Sequence, residues 1–240
     1  MSNDSRKTIL APDPNPVKPK YTPPPLACDA HCHVFGPGSR FPYSPRATYV
    51  PPDAPKEALA ALHRHLGFER AVVVQASCHG RDNSAMMDAL AASGGRWKGV
   101  AMVGAEVSDA ELQSLHAGGV RGVRFNFVAH LGGAPDLKVV HSVLARIAPL
   151  GWHVQLHLDA QDILTYRDFL EKLPVPYLID HMGRARAAEG IEQKPFRLLR
   201  DLLRGNERAW IKVSGFERVS STGKPFRDRS EEHTSELQSH

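Results

Sequence analysis

A chain of 240 residues that is 42% hydrophobic and 23% charged has the make-up of a soluble globular protein, long enough for one large core or two small ones. It holds no apolar run near the ~20 residues that cross a bilayer, and its early Ile9–Leu10 patch is too short for a signal-peptide core, so a cytoplasmic location without a membrane partner is expected. The net charge of +4 comes from basic residues scattered along the chain rather than bunched with aromatics, which argues against nucleic acid and for a small anionic ligand.

Residues 1–25 form the first segment, with prolines at Pro12, Pro14, Pro16, Pro19, Pro23, Pro24 and Pro25. Such a stretch cannot sustain a hydrogen-bond ladder and is expected to run as an extended arm over the surface. Short β-type runs then alternate with helical ones. The expected strands are Leu26–Asp29, Ala71–Gln75, Gly99–Val103, Gly122–Phe125, His153–Leu158, Tyr177–Asp180 and Ala209–Ser214. Several are rich in Val, Ile and Leu, as parallel strands covered on both faces are.

The first expected helix, Lys56–Leu66, has Asp53 as its candidate cap and Gly67 as its stop. Ser84–Ala92 is a shorter helix, and Ser108 with Glu111 has the spacing of a capping box opening Asp109–Ala117. Leu137–Leu150, Ala160–Lys172 and Pro195–Leu203 complete the series. Strand–helix alternation implies right-handed parallel βαβ units, which fit either an open doubly wound sheet or a closed barrel. The first strand is followed by no G-x-G-x-x-G, and polar residues gather after almost every strand instead. The expected fold is therefore a (β/α)8 TIM barrel over residues 26–228, incomplete because seven strands are found rather than eight. Residues 229–240 have neither helical nor strand periodicity and resemble the in-frame translation of an adapter oligonucleotide, so they are expected to be foreign to the fold.

Three cysteines, Cys28, Cys32 and Cys78, form no CxxC pair, so neither a disulfide framework nor a zinc knuckle is expected. Histidines recur at the strand ends. His31 and His33 are two apart and so face the same way on a strand, a pairing that suits a metal or two donors aimed at one oxygen. His157 closes the fifth strand and His181 follows the sixth. Arginines stand at the same rim, Arg124 after the fourth strand, Arg184 after the sixth and Arg218 after the seventh, where guanidinium groups can bind carboxylates bidentately. Ser77 and His79 add polar groups after the second strand, and Tyr49 offers a phenol from the loop after the first. Ser77 is not in a G-x-S-x-G elbow, which argues against a serine nucleophile.

The runs Asp29–Pro37, Phe41–Tyr43, Ser77–Asn83, Arg121–Phe127, Ile179–Arg184 and Lys212–Arg218 carry a resemblance. Through them the chain resembles, over residues 26–228, the 2-pyrone-4,6-dicarboxylate lactonases of the amidohydrolase superfamily. That resemblance implies hydrolysis of a doubly carboxylated pyrone in the bacterial breakdown of lignin-derived aromatics, without a divalent metal or other cofactor. It implies that His31, His33 and His181 polarise the lactone carbonyl. It implies that Arg124, Arg184 and Arg218, with Tyr49 and Ser77, hold the carboxylates. A general-base aspartate after an eighth strand has no counterpart here, so the chain as written is expected to turn over negligibly. His130 stands where the family has a further substrate-gripping arginine. His157 stands where it has a tyrosine, and where metal-dependent relatives have a histidine ligand. Two alternatives follow: a zinc-dependent hydrolase or decarboxylase using His31, His33 and His157, and an inactive fragment or anion-binding protein.

Overall fold

The computed structural model describes residues 7–223, together with 226 and 228. The segment 229–240, expected to be foreign, lies outside the described residues. The chain divides into two compact units, Met1–Arg124 and Phe125–His240. No described helix is long and apolar enough to cross a membrane.

In the first unit, β1 (Cys28–Cys32), β2 (Arg70–Val74), β3 (Trp97–Ala101) and the start of β4 (Val120–Asn126) are parallel and pair in chain order. Val73 lies opposite Gly99, and Val100 opposite Gly122. Val73, Val74, Val100, Ala101, Val120 and Val123 are all buried, the near-continuous apolar character of strands covered on both sides. The pairing of β3 with β4 decides the fold class. A doubly wound sheet puts its first strand in the centre, with the third and fourth on opposite sides of it. Strands that pair in sequence with helices between them belong to the (β/α)8 class, and seven stand among the described residues.

The helices at Lys56–Leu66, Ser84–Ala92 and Asp109–Ala117 form where the sequence places them. The first stops at Gly67, whose left-handed backbone (φ 86°) turns its N–H onto the His63 carbonyl. Ser108 accepts a hydrogen bond from the Glu111 N–H (3.1 Å). Asp53 does not cap Lys56–Leu66; Pro55 occupies the cap position. The Asp53 carboxylate instead accepts from the Gly38 N–H (3.0 Å) and the Tyr43 hydroxyl (2.8 Å), closing a loop. The proline-rich segment is irregular over its described residues and is fastened near its start: the Val50 N–H donates to the Lys7 carbonyl (2.9 Å) in a bridge between Lys7 and Tyr49.

In the second unit β5 (His153–His157), β6 (Tyr177–Ile179) and β7 (Ala209–Ile211) are again parallel, with Leu156 opposite Ile179 and Ile179 opposite Ile211. Phe127, just past β4, donates its N–H to the His157 carbonyl (2.9 Å). Leu137–Ile147 is capped by Asp136 and runs on into a 3-10 turn, Ala148–Leu150. The single helix expected over Ala160–Lys172 is two helices, Ala160–Thr165 and Arg167–Glu171, broken at Tyr166 (φ −102°, ψ 22°). The break lets Tyr166 and Phe169 both pack on Phe127, at ring-centroid distances of 5.0 and 6.2 Å. Lys194–Gly205 lays Phe196, Leu199 and Leu202 on its buried face.

Candidate active site

The first unit brings His31 and His33 together as their two-residue spacing requires. Their rings meet edge to face at 4.9 Å, with Nε2 atoms 3.3 Å apart. His33 Nδ1 lies 2.8 Å from the Val74 carbonyl. A carbonyl can only accept, so Nδ1 holds the proton and a neutral His33 keeps its lone pair on Nε2. In the neutral pair, His31 Nε2–H then donates to His33 Nε2.

The end of β1 is held by a group that the sequence reading overlooks. Asp29 accepts from the His31 N–H (3.0 Å) and from His63 Nε2–H (3.0 Å), and His63 is buried. Burial pushes the Asp29 carboxyl up, but these bonds outweigh it and hold the group below the usual carboxylate range. The signal available was an acidic residue two positions before His31. Asp29, Cys32 and His63 have ligand atoms within 4.8 Å of one another, but each already bonds to protein: Asp29 with His63, and the Cys32 thiol to the Val72 carbonyl (3.5 Å).

Tyr49, Ser77 and Arg124 also belong to this unit. The Tyr49 phenol bonds to the Cys78 thiol; burial first, then Cys78, raise its pKa well above the ordinary value, with Arg124 acting against them. Cys78 is fully buried, which pushes its thiol up to about 11. Both groups are therefore neutral near pH 7. Arg124 itself is only 4% exposed. Ser77 is half-buried at the start of the 3-10 turn Ser77–His79.

His79 is committed on both sides. The Gly36 N–H donates to its Nε2 (3.1 Å), so Nδ1 carries the proton and donates to the Pro42 carbonyl (3.3 Å). Burial holds its pKa below 6.5. Folding thus favours the neutral ring: its contribution is present above pH 6.5 and is lost as pH falls below that value. Urea midpoints are expected to drop between pH 7.5 and 5.5, and His79→Gln should flatten that slope. An unchanged slope would remove His79 as its source.

In the second unit, His157 closes β5 with Nδ1 3.2 Å from Asn126 Oδ1, and its ring lies 5.4 Å from that of His181 and 6.1 Å from that of His130. His157 and His181 are buried; His130 is exposed. Arg184 is half-buried and already paired with Asp159 (2.7 Å), and Arg218 is exposed beside Glu217 (3.2 Å). Neither arginine is as sheltered as Arg124.

His181 stands in an unusual turn. His181, Met182, Gly183 and Arg184 all have positive φ (52°, 54°, 59° and 51°), a left-handed conformation that costs non-glycine residues roughly 1–2 kcal/mol each. The chain after β7 holds it there. The Met182 N–H donates to the Lys212 carbonyl (3.0 Å), and Lys212 Nζ reaches Asp180 and Gln155, both at 3.1 Å. Sequence reasoning singled out the stretch but not this buried ionic group. A lysine in the run Ala209–Ser214 was its only sign.

An amidohydrolase family profile matches residues 28–234, and the chain belongs to that family. It is 50% identical over 209 residues to a 2-pyrone-4,6-dicarboxylate hydrolase of Comamonas testosteroni, covering 87% of this chain and 68% of the relative. It is 38% identical over 203 residues to a 4-sulfomuconolactone hydrolase of Rhizobium radiobacter, covering 84% and 68%. Among solved structures, a probable 2-pyrone-4,6-dicarboxylic acid hydrolase from Acinetobacter baumannii with citric acid bound superposes with a TM-score of 0.71 at 31% identity, over 82% of this chain and 73% of that one.

Proposed function

We propose that this protein hydrolyses the lactone of 2-pyrone-4,6-dicarboxylate or a closely related anionic lactone, in the cytoplasm and in the breakdown of lignin-derived aromatics. The observation that carries the reading is Arg124, a guanidinium 4% exposed with the neutral phenol of Tyr49 nearby. A buried guanidinium and a neutral donor suit a planar carboxylate, which accepts two parallel bonds from the first and one from the second. The hydrolase names of the two relatives and the citrate bound by the third support the same substrate class.

In the reaction the oxygen of water adds to the lactone carbonyl carbon, the ring C–O bond breaks, and the departing ring oxygen takes up a proton. His181, and His31 with His33 when that pair carries a shared additional proton, act as donors to the carbonyl, where negative charge develops. Arg124, Tyr49 and Ser77, with His130, His157, Arg184 and Arg218, hold the carboxylates and the ring. Arg184 must then share its charge between Asp159 and the substrate. The substrate is a small molecule, and neither nucleic acid nor membrane takes part.

A zinc-dependent hydrolase or decarboxylase is the second reading, favoured by one observation. The Val74 carbonyl leaves neutral His33 with an Nε2 lone pair, and Nδ1 of His157 faces Asn126, the outer-sphere contact that metal-ligating histidines make. In this reading His31, His33 and His157 would hold a divalent metal, which would supply Lewis-acid polarisation of the carbonyl.

Calorimetric titration with 2-pyrone-4,6-dicarboxylate, followed by loss of pyrone absorbance, tests the proposal. Saturable binding that survives exhaustive chelation is expected of this chain, and ring opening once an eighth-strand aspartate is supplied. Stoichiometric zinc with chelator-sensitive turnover would install the second reading. Absence of binding to any anionic lactone would sink both.

A further inference from the structure

The three histidines assigned to the carbonyl are not held alike. His33 has its Nδ1 against a carbonyl, which forces the proton onto Nδ1. His181 has its Nδ1 3.0 Å from the hydroxyl of Ser214, a group able to donate. Ser214 is half-buried and makes no other side-chain hydrogen bond among the described residues. If Nδ1 donated to it, the hydroxyl proton would need a second acceptor. Donating to Nδ1 satisfies ring and hydroxyl with one bond.

The backbone around Ser214 is shaped for this contact. Gly215 has φ 71°, and a Cβ there would sit 2.9 Å from His181 Nδ1 and 3.0 Å from Cγ. Only glycine leaves the ring edge open to the preceding hydroxyl. Upstream, the Ser214 N–H and the Met182 N–H both donate to the Lys212 carbonyl (3.0 Å each), tying the serine and the left-handed turn to one atom. The hydroxyl and the imidazole are thus fixed from both strands.

We propose that Ser214 is a positioning residue that holds the His181 ring as its Nε2–H tautomer, so that a neutral imidazole offers an N–H rather than a lone pair to the substrate carbonyl. Its catalytic meaning rests on the lactonase reading; the tautomer itself does not. Which ring nitrogen carries the proton is set by the bond the other nitrogen makes. The arrangement separates His181, a built-in donor, from His33, whose neutral form can only accept at Nε2.

The test uses the full chain labelled with 15N-histidine, with the His181 signals identified by their loss in His181→Asn. At pH 7.5 the unsubstituted protein should show Nδ1 unprotonated and Nε2 protonated. Ser214→Ala should shift the ring toward a tautomer mixture and Ser214→Thr should restore it. With 2-pyrone-4,6-dicarboxylate, and with an eighth-strand aspartate supplied, Ser214→Ala should lower kcat about 3- to 10-fold, with KM within twofold and recovery in Ser214→Thr. A proton on Nδ1 in the unsubstituted protein, or a tautomer unmoved by Ser214→Ala, overturns the proposal. A tautomer that shifts as expected in a chain that neither binds nor opens the lactone upholds Ser214's hold on the ring and defeats the lactonase reading instead.

Discussion

Lys212→Met is expected to destabilise the protein by about 3–5 kcal/mol, the usual cost of removing one partner from a buried ion pair. Lys212 is 7% exposed and its partner Asp180 fully buried, so the substitution strands a carboxylate with little solvent to turn to. Methionine keeps most of the side-chain volume, which confines the loss to electrostatics rather than packing. Gln155 loses its lysine contact at the same time. The companion variant Lys212→Met with Asp180→Asn should regain a large part of the deficit, since an amide is far less costly to bury than a lone charge. Urea unfolding of the two variants decides the matter. Equal midpoints for the single variant and the unsubstituted chain would mean that Asp180 is not held as an anion.

The second large effect is on binding. Arg124→Ala should raise Kd for 2-pyrone-4,6-dicarboxylate at least 30-fold, from about 2–5 kcal/mol for a sheltered charge-assisted contact. Arg124→Lys should recover only part of this, because a point charge lacks the planar fork that meets both carboxylate oxygens. Arg218→Ala should cost less, as Arg218 is exposed and engaged with Glu217. Calorimetry on the three variants ranks them. An Arg218 effect larger than that of Arg124 would overturn Arg124 as the main carboxylate anchor. The measurement needs no turnover and so stands apart from any question about the base.

Much of this was legible before any coordinates, for identifiable reasons. Lys56–Leu66 and Asp109–Ala117 carry stop or cap signals and form with the expected ends, as does the shorter Ser84–Ala92. β1 lies at Cys28–Cys32 rather than at Leu26–Asp29, because its pairing with β2 begins at Cys28 opposite Arg70. That places His31 within the strand. The break at Tyr166 has no glycine or proline to announce it; it accompanies the packing of two aromatic rings, Tyr166 and Phe169, on Phe127. Asp53 was a reasonable cap by composition, and only the folded loop reveals that Gly38 and Tyr43 claim it.

The candidate site divides the same way. Residue types and strand ends pointed to His31, His33, His157 and His181, but not to the roles of their nitrogens. Those depend on Val74, Asn126 and Ser214, which arrive from neighbouring strands through tertiary pairing. The left-handed run after β6 was equally hidden. Of its four residues only Gly183 favours that conformation, and His181 and Met182 are tied to Ser214 and Lys212 from beyond β7.

The bridge between Lys7 and Tyr49 makes the chain leaving Lys7 a mechanical lead into the loop that carries Tyr49. A purification tag or fusion partner that tugs on this lead, or a protease that cuts it between Lys7 and Ala27, would loosen the phenol without touching any residue near it. Constants measured on differently tagged preparations should therefore disagree in affinity sooner than in thermal midpoint.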